Sequence, residues 1–332
     1  MADLVERARW VADTVLFPDA DAVDRDGTVP ESHFRVLAAE GFYGLAVRQD
    51  LELPVMLEVL EVLAGGCLTT TFTWIQHHGV VIGVARGDND GLKERLLPGL
   101  TAGTTRGGVA FAGALATPPR LTAERVEGGW ALTGDAPFVS GWGIVDVLQV
   151  SAVAGDQVVK VVVDAAAAPG LSPTRLDLIA AQGTATVRLV FDGLFVPDDR
   201  VAGVQALSSF QDDAVFGSRL NGCLAMGLTR RAADLLDDLG RVEEAAAFRE
   251  AAAQARAALD TGLTDLAAML RARAGASELA YRAAGAVVVA EGARGVAIGG
   301  HGQRLVREAT FTLVAASRAP IKDDLLRRLS ER

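Results

Sequence analysis

Leu4, Val5, Ala8, Ala12, Val15 and Leu16 recur at helical spacing and predict a helix over residues 2–16, ended by Phe17-Pro18. Residues 24–29 read as a polar turn. Pro30-Glu31-Ser32 opens a second helix holding Phe34, Val36, Leu37 and Ala38, and Gly41 closes it. The same spacing predicts a third helix over 53–63 and a fourth over 69–84, which carries Trp74, Gln76, His77 and His78. A short fifth over 92–97 is closed by Pro98-Gly99.

Near Thr101 the period changes. Residues 105–112 are glycine-rich and apolar, and Pro118-Pro119 breaks the chain. Segments 125–127, 130–133, 145–153 and 158–163 read as successive strands. In 184–191, Thr186, Arg188 and Val190 fall on one side and Val187, Leu189 and Phe191 on the other; Asp192-Gly193 is a turn before Phe195-Val196-Pro197. Six or more short strands in about a hundred residues predict a small barrel or sandwich. Helices return over 215–239, stopped by Gly240, then 242–259, 263–290 with an interruption near Gly285, 301–315 and 321–329. The fold class is therefore α+β multidomain: an N-terminal helical domain (1–100), a central small β-barrel or sandwich (101–204) and a C-terminal helical bundle (205–332).

Composition narrows the function classes. Of the 332 residues, 50% are apolar and only 5% aromatic, which suits packed helices, and the net charge of −10 argues against a nucleic-acid partner. Cys67 and Cys223 are too few for a disulfide framework and lie in apolar surroundings, as free thiols would in a reducing compartment. The charged start lacks the apolar core of a signal peptide, and the longest apolar run, near 283–290, is far short of a membrane span. The expectation is a soluble, cytoplasmic protein with no membrane partner.

Chemistry centres on residues 128–146. Gly128-Gly129 is a hairpin signal. Trp130-Ala131-Leu132-Thr133 is a strand bent by Gly134-Asp135-Ala136-Pro137, and Phe138-Val139 delivers Ser140 to a Ser140-Gly141-Trp142-Gly143 turn. The glycines beside Trp142 let a flat ligand approach the backbone, and Ser140 adds one hydroxyl that both donates and accepts. Taken alone, the stretch reads first as a glycine-kinked hairpin and only second as a flavin edge.

Trp130-x-Leu132-x-Gly134-x-x-x-Phe138-Val139-Ser140-Gly141-Trp142 is followed by Ala185-Thr-Val-Arg-Leu-Val-Phe191-Asp-Gly-Leu-Phe-Val-Pro197. The pair resembles the Gly-x-Lys-x-Trp-Ile-Thr-Asn and Phe-x-x-Val-x-Val-Pro strands of the acyl-CoA dehydrogenase superfamily. Gln303-Arg304-Leu305-Val306-Arg307-Glu308-Ala309 resembles its Leu-x-Arg-Asp-Ala segment, and the loop from Glu291 to Gly295 stands at its Gly-Gly-x-Gly turn. The resemblance implies an FAD cofactor, a small-molecule acyl substrate, and a homo-oligomer or a hetero-oligomer with a related chain. It places Phe138 and Ser140 at the isoalloxazine and Gly292 and Gly295 at FAD phosphates in an adjoining subunit; Gly141 and Trp142, from the turn itself, are the remaining cofactor-binding candidates. Read without the family, Gly292 and Gly295 are a helix cap.

The departures concern catalysis. Dehydrogenation of an acyl thioester needs a carboxylate over the α carbon. At the usual family position stands Ala316, and at the alternative position on the first long C-terminal helix stands Ser218, so the catalytic residue is unknown. The Thr-Glu-Pro segment becomes Ala112-Gly113-Ala114, and the Arg-x-x-Phe-Gly motif has no counterpart between Leu239 and Ala267. Only four histidines occur: His33, His77, His78 and His301. His77-His78 is expected to form a polar patch, and no metal site is expected because neighbouring helical residues diverge. His301 does not match the late histidine of monooxygenase members. Asp198-Asp199 reads as a solvated turn, and Glu308, beside Arg307, as a salt-bridge carboxylate. Two functions follow: an FAD-dependent oxidoreductase, or a non-redox relative serving as a binding or partner subunit, lyase or cyclase.

Overall fold

The computed structural model describes residues 2–331. Six helices come first: α1 (Ala2–Val11), α2 (Phe17–Asp26), α3 (Glu31–Ala39), α4 (Leu53–Gly66), α5 (Leu68–Arg86) and α6 (Asp90–Ala102). The β region follows as β1 (Gly107–Ala110), the short α7 (Ala112–Leu115), β2 (Leu121–Val126), β3 (Gly129–Val139), β4 (Val147–Ala154), β5 (Gln157–Asp164), β6 (Leu171–Arg175), β7 (Val187–Pro197) and β8 (Val201–Ala206). The chain ends with α8 (Leu207–Asp212), α9 (Ala214–Asp238), α10 (Val242–Thr261), α11 (Leu266–Glu291), α12 (His301–Val314) and α13 (Ala319–Ser330). This is the expected order of helices, sheet, helices.

Four boundaries need correction, each for a tertiary reason. Phe17-Pro18 does not end the first helical run. The chain makes a π turn over Ala12–Leu16 and restarts as α2, with Pro18 in its first turn, where a missing N–H costs nothing, so helix replaces turn as far as Asp26. Nor does Pro98-Gly99 close α6, which continues to Ala102 while the Thr101 hydroxyl donates to the carbonyls of Leu97 and Pro98. Gly285 sits inside an unbroken α11, whose packing outweighs the ~1 kcal/mol helix penalty of one glycine. Finally, Gly134 and Asp192-Gly193 do not split their strands. β3 and β7 each run 11 residues and absorb the irregularity as a register shift between Leu132 and Gly134.

The strands form one sheet in the order β6-β7-β3-β2-β4-β5-β8, with β1 beside β4. Its halves meet at a single parallel pair, Thr122 opposite Val153, and close over a shared core of Leu132, Leu148, Val150, Leu189 and Phe191. Helix α5 ties the sheet to the helices. Val80, Val81 and Val84 pack on Val147 and Val162, and a Cβ at Gly83 would fall 1.7 Å from the Gln149 side chain. The α4–α9 crossing is equally close: a Cβ at Gly227 would lie 2.4 Å from the Glu61 carbonyl. Among the described residues, no helix is long and apolar enough to cross a membrane.

Candidate active site

β3 pairs with β7 until a second register shift between Ala136 and Val139, where the strand turns a corner. Phe138 takes a left-handed backbone conformation (φ 54°) and holds its ring out, 67% exposed. A left-handed non-glycine residue stores roughly 1–3 kcal/mol of strain, and such residues gather at ligand sites. Two more stand opposite: Ala181 (φ 55°) and Ala185 (φ 48°), flanking the 3₁₀ turn Gln182–Thr184 between β6 and β7.

Ser140 is buried directly after the corner. Its Oγ lies 2.7 Å from Thr186 Oγ1, which lies 2.7 Å from Thr184 Oγ1, which donates over 2.7 Å to the Ala181 carbonyl. Each hydroxyl has one proton and the carbonyl can only accept, so the direction of the chain is fixed. Thr184 donates to Ala181, Thr186 to Thr184 and Ser140 to Thr186. Ser140 therefore offers lone pairs, not a proton, to anything else that reaches it, which corrects the reading of its hydroxyl as both donor and acceptor. The Gly141 N–H adds a bond to the Thr184 carbonyl at 2.7 Å.

Gly141 (φ 95°) and Gly143 (φ 78°) supply the positive φ angles of the turn. A Cβ at Gly141 would press on Val145 Cγ1 at 2.9 Å, so that bare backbone serves packing rather than a ligand, while Gly143 faces open space. Trp142 is half-buried against the sheet core and borders a cavity of about 260 Å³ shared with Pro173, Arg175, Ala185 and Val187. That volume lies just below the roughly 300–1,000 Å³ of ordinary ligand pockets. It suits a ring-sized group and does not enclose a dinucleotide. Arg175, opposite Val187 in the β6–β7 ladder, is a cation that the sequence reading missed. Thr184 and Thr186 were also missed as partners of Ser140; their two-residue spacing was the available signal.

The corner is braced by the helices. Arg307 of α12 grips Asp24 of α2 and donates to the Ile179 carbonyl at 3.0 Å. Glu308 does form a salt bridge, but with Arg304 rather than its neighbour Arg307: both carboxylate oxygens accept from Arg304 Nη1 at 2.8 and 2.9 Å in a fully buried pair. Burial opposes the Arg304 charge, yet the facing carboxylate holds the guanidinium above its ordinary value.

The other candidates lie elsewhere. Gly292 (φ 65°) is the C-cap of α11, and a Cβ at Gly295 would fall 2.6 Å from the Val288 carbonyl; their loop packs on α11 and α12. Ser218 is buried on α9, and Ala316 is exposed and left-handed (φ 50°) just beyond α12. His77 and His78 are buried and form no surface patch. His77 Nδ1 accepts from the Gly107 N–H at 3.0 Å and Nε2 donates to the Leu100 carbonyl at 3.1 Å, which fixes a neutral ring; burial pushes it down to about 4. His301 stacks on Phe17 at 4.5 Å. His33 bridges Asp19 (3.1 Å) and Thr70 (3.0 Å), whose hydroxyl donates to Cys67 Sγ. That chain pins α2, α3 and α5 together, and burial raises the Cys67 thiol, so it is a brace without a nucleophile. Asp198 pairs with Arg125 on the surface, and no cluster of three metal-ligating side chains occurs among the described residues.

Residues 2–104 match the family model for the acyl-CoA dehydrogenase N-terminal domain. The whole chain superposes on butyryl-CoA dehydrogenase from Megasphaera elsdenii with a TM-score of 0.85, covering 99% of this chain and 98% of that one at 16% identity. The chain thus has the acyl-CoA dehydrogenase fold, and its first hundred residues match that family's N-terminal domain. Another structural neighbour, PigA with FAD and proline, has a TM-score of 0.84 over 99% of this chain and 97% of its own, at 18% identity. In sequence, the mitochondrial 2-methylacyl-CoA dehydrogenase of Solanum tuberosum is 24% identical over 204 residues, which is 56% of this chain and 49% of that protein. The chain spans less than two thirds of the curated superfamily relatives it matches.

Proposed function

We propose that this chain is an acyl-CoA dehydrogenase-like oxidoreductase that holds FAD against the corner at Phe138–Trp142 and acts on a small acyl thioester. The observation that carries the reading is the corner itself. An aromatic ring is held outward at a strained backbone position, beside a buried serine whose proton is committed inward. A fold needing only a turn would place glycine at residue 138.

When bound, the flavin would supply the two-electron acceptor. Phe138 offers a face for the ring system, Ser140 accepts a hydrogen bond, and Arg175 supplies positive charge beside the Trp142 cavity. That cavity does not enclose a dinucleotide, so the rest of FAD would need open surface or a second copy, to which Gly292 and the exposed loop after it would contribute. Val296 and Ile298 on that loop, with Val289 just before it, are 73%, 86% and 81% exposed, which suits an oligomer contact. The structural neighbour PigA is described with FAD, which supports the cofactor class.

The same geometry limits activity. Neither Ala316 nor Ser218 carries a carboxylate, so α-proton abstraction forgoes general-base assistance, typically about 10²–10⁴-fold in rate. This favours the second reading, a non-redox relative, if flavin fails to bind. Purified protein mixed with FAD decides between them. Stoichiometric retention, with flavin absorbance that responds to Ser140→Ala, supports the oxidoreductase; a protein that ignores FAD overturns it. With FAD bound, Ala316→Glu is expected to raise dehydrogenation of simple acyl-CoA esters above the low activity of the unmodified chain.

A further inference from the structure

A second site lies away from the corner, where α1, α4, α9 and α10 meet around a half-open cavity of about 580 Å³. Its walls are unusual for a helix junction because they are ionic and deeply placed. Arg219 is 1% exposed and Glu61 3%. Keeping such charges out of water is costly, and apolar residues of similar volume would often serve stability as well.

The pairing around the cavity leaves Arg230 the most weakly held cation. Arg9 holds Glu58 at 2.7 Å, Arg256 holds Glu61 Oε2 at 2.6 and 2.8 Å, and Arg219 holds Asp260 at 2.8 Å. Arg230 makes no hydrogen bond among the described residues, and its nearest carboxylate, Asp234, is 4.0 Å away. Burial lowers its pKa, opposed only in part by the carboxylates of Asp234 and Asp13. In the lining itself four arginines face three carboxylates, a net charge of +1, with Asp234 outside the lining as the weak partner of Arg230. Pro54, Leu57 and Val62 add an apolar wall.

We propose that this cavity binds a small monocarboxylate with a short apolar chain, its carboxylate docked on Arg230. The charge balance selects a monoanion: Glu58, Glu61 and Asp260 would repel a second negative charge. The apolar wall selects a carbon tail over an inorganic oxyanion. Binding here uses no flavin and no residue of the Phe138–Trp142 corner, so the site stands or falls separately from the proposed activity.

Calorimetry on the purified full chain at fixed ionic strength tests it, with butyrate, acetate and inorganic phosphate as probes. Butyrate should bind saturably at one site per chain, more tightly than either acetate or phosphate. Arg230→Gln should weaken butyrate at least tenfold, and from the fold it removes only the half-exposed 4.0 Å pair with Asp234. Arg175→Gln, which alters the other cavity, should leave butyrate affinity unchanged. No saturable butyrate binding, phosphate binding more tightly than butyrate, or Arg230→Gln binding as the parent does would each overturn the proposal.

Discussion

Thr186→Val tests the hydroxyl chain behind Ser140. The substitution keeps the volume and removes the one hydroxyl that both accepts from Ser140 and donates to Thr184, each at 2.7 Å. Thr186 is 3% exposed, so water cannot take its place. Each bond contributes about 1 kcal/mol net, which makes the direct loss about 2 kcal/mol. Thr184 keeps its bond to the Ala181 carbonyl, whereas Ser140 is left without its partner, and an orphaned buried hydroxyl adds roughly 1 kcal/mol more. Ser140→Ala breaks a single bond and should cost about 1 kcal/mol. In the double variant the shared bond is lost once and no Ser140 hydroxyl is left orphaned, so the costs should fall short of additive by about 2 kcal/mol. Urea denaturation followed by tryptophan fluorescence reads this, because Trp142 packs in the same core as the strands that carry the chain. Thr186→Ser should stay close to the parent. A loss under about 0.5 kcal/mol for Thr186→Val, or fully additive costs, would refute the assigned directions and with them the claim that Ser140 presents only lone pairs.

Glu308→Gln leaves the Arg304 guanidinium buried without its carboxylate and should cost about 3–5 kcal/mol in thermal or chemical unfolding, far more than an exposed pair such as Arg327–Glu331. His77 gives a pH signature. Its folded pKa of about 4 lies below the ordinary 6.5, so the unfolded chain binds the proton first, and stability is full above pH 6.5 and falls as pH drops towards 4. The loss from this ring is about 3 kcal/mol, two and a half pH units at about 1.36 kcal/mol each, and a flat stability profile over that window would contradict its buried neutral state. Ile298→Asp should dissociate an oligomer into monomers in sedimentation at micromolar concentration, and a parent chain already monomeric there would remove the proposed contact.

The order of the parts was legible because it rests on period: 3.6 in the first hundred residues, near 2 in the middle, 3.6 again to the end. The continuity of individual elements was not. Gly134 and Asp192-Gly193 look like breaks when each strand is read alone, and only the pairing of β3 with β7 shows both being absorbed as one irregularity. Pro18 and Pro98 mislead in the same way, because the cost of a proline depends on which carbonyls already have partners. At the site, the turn chemistry of Ser140-Gly141-Trp142-Gly143 was readable from adjacent residues. The hydroxyl chain was not, since Ser140 and Thr186 are 46 positions apart. The second cavity was equally hidden. Arg9, Glu61, Arg230 and Arg256 come from four helices, and none forms a motif with its own neighbours.

Among the described residues, the non-glycine positions with positive φ are Phe138, Ala181, Ala185 and Ala316. The first three ring the Ser140 corner, and the fourth occupies the place where superfamily resemblance puts the catalytic carboxylate. Glycine would relieve strain of roughly 1–3 kcal/mol at each, and the chain has 36 glycines, so it does not lack the means. At Ala181 and Ala185 the strain is offset locally, because the turn between them supplies the Thr184 hydroxyl and carbonyl that fix Ser140 and Gly141. At Phe138 no contact of that kind repays it, since the ring points outward. At Ala316 the backbone keeps a demanding conformation although the side chain has no functional group. Under the proposed reading, the strained Phe138 would be the cofactor platform, and Ala316 leaves the proton-transfer step without its usual carboxylate.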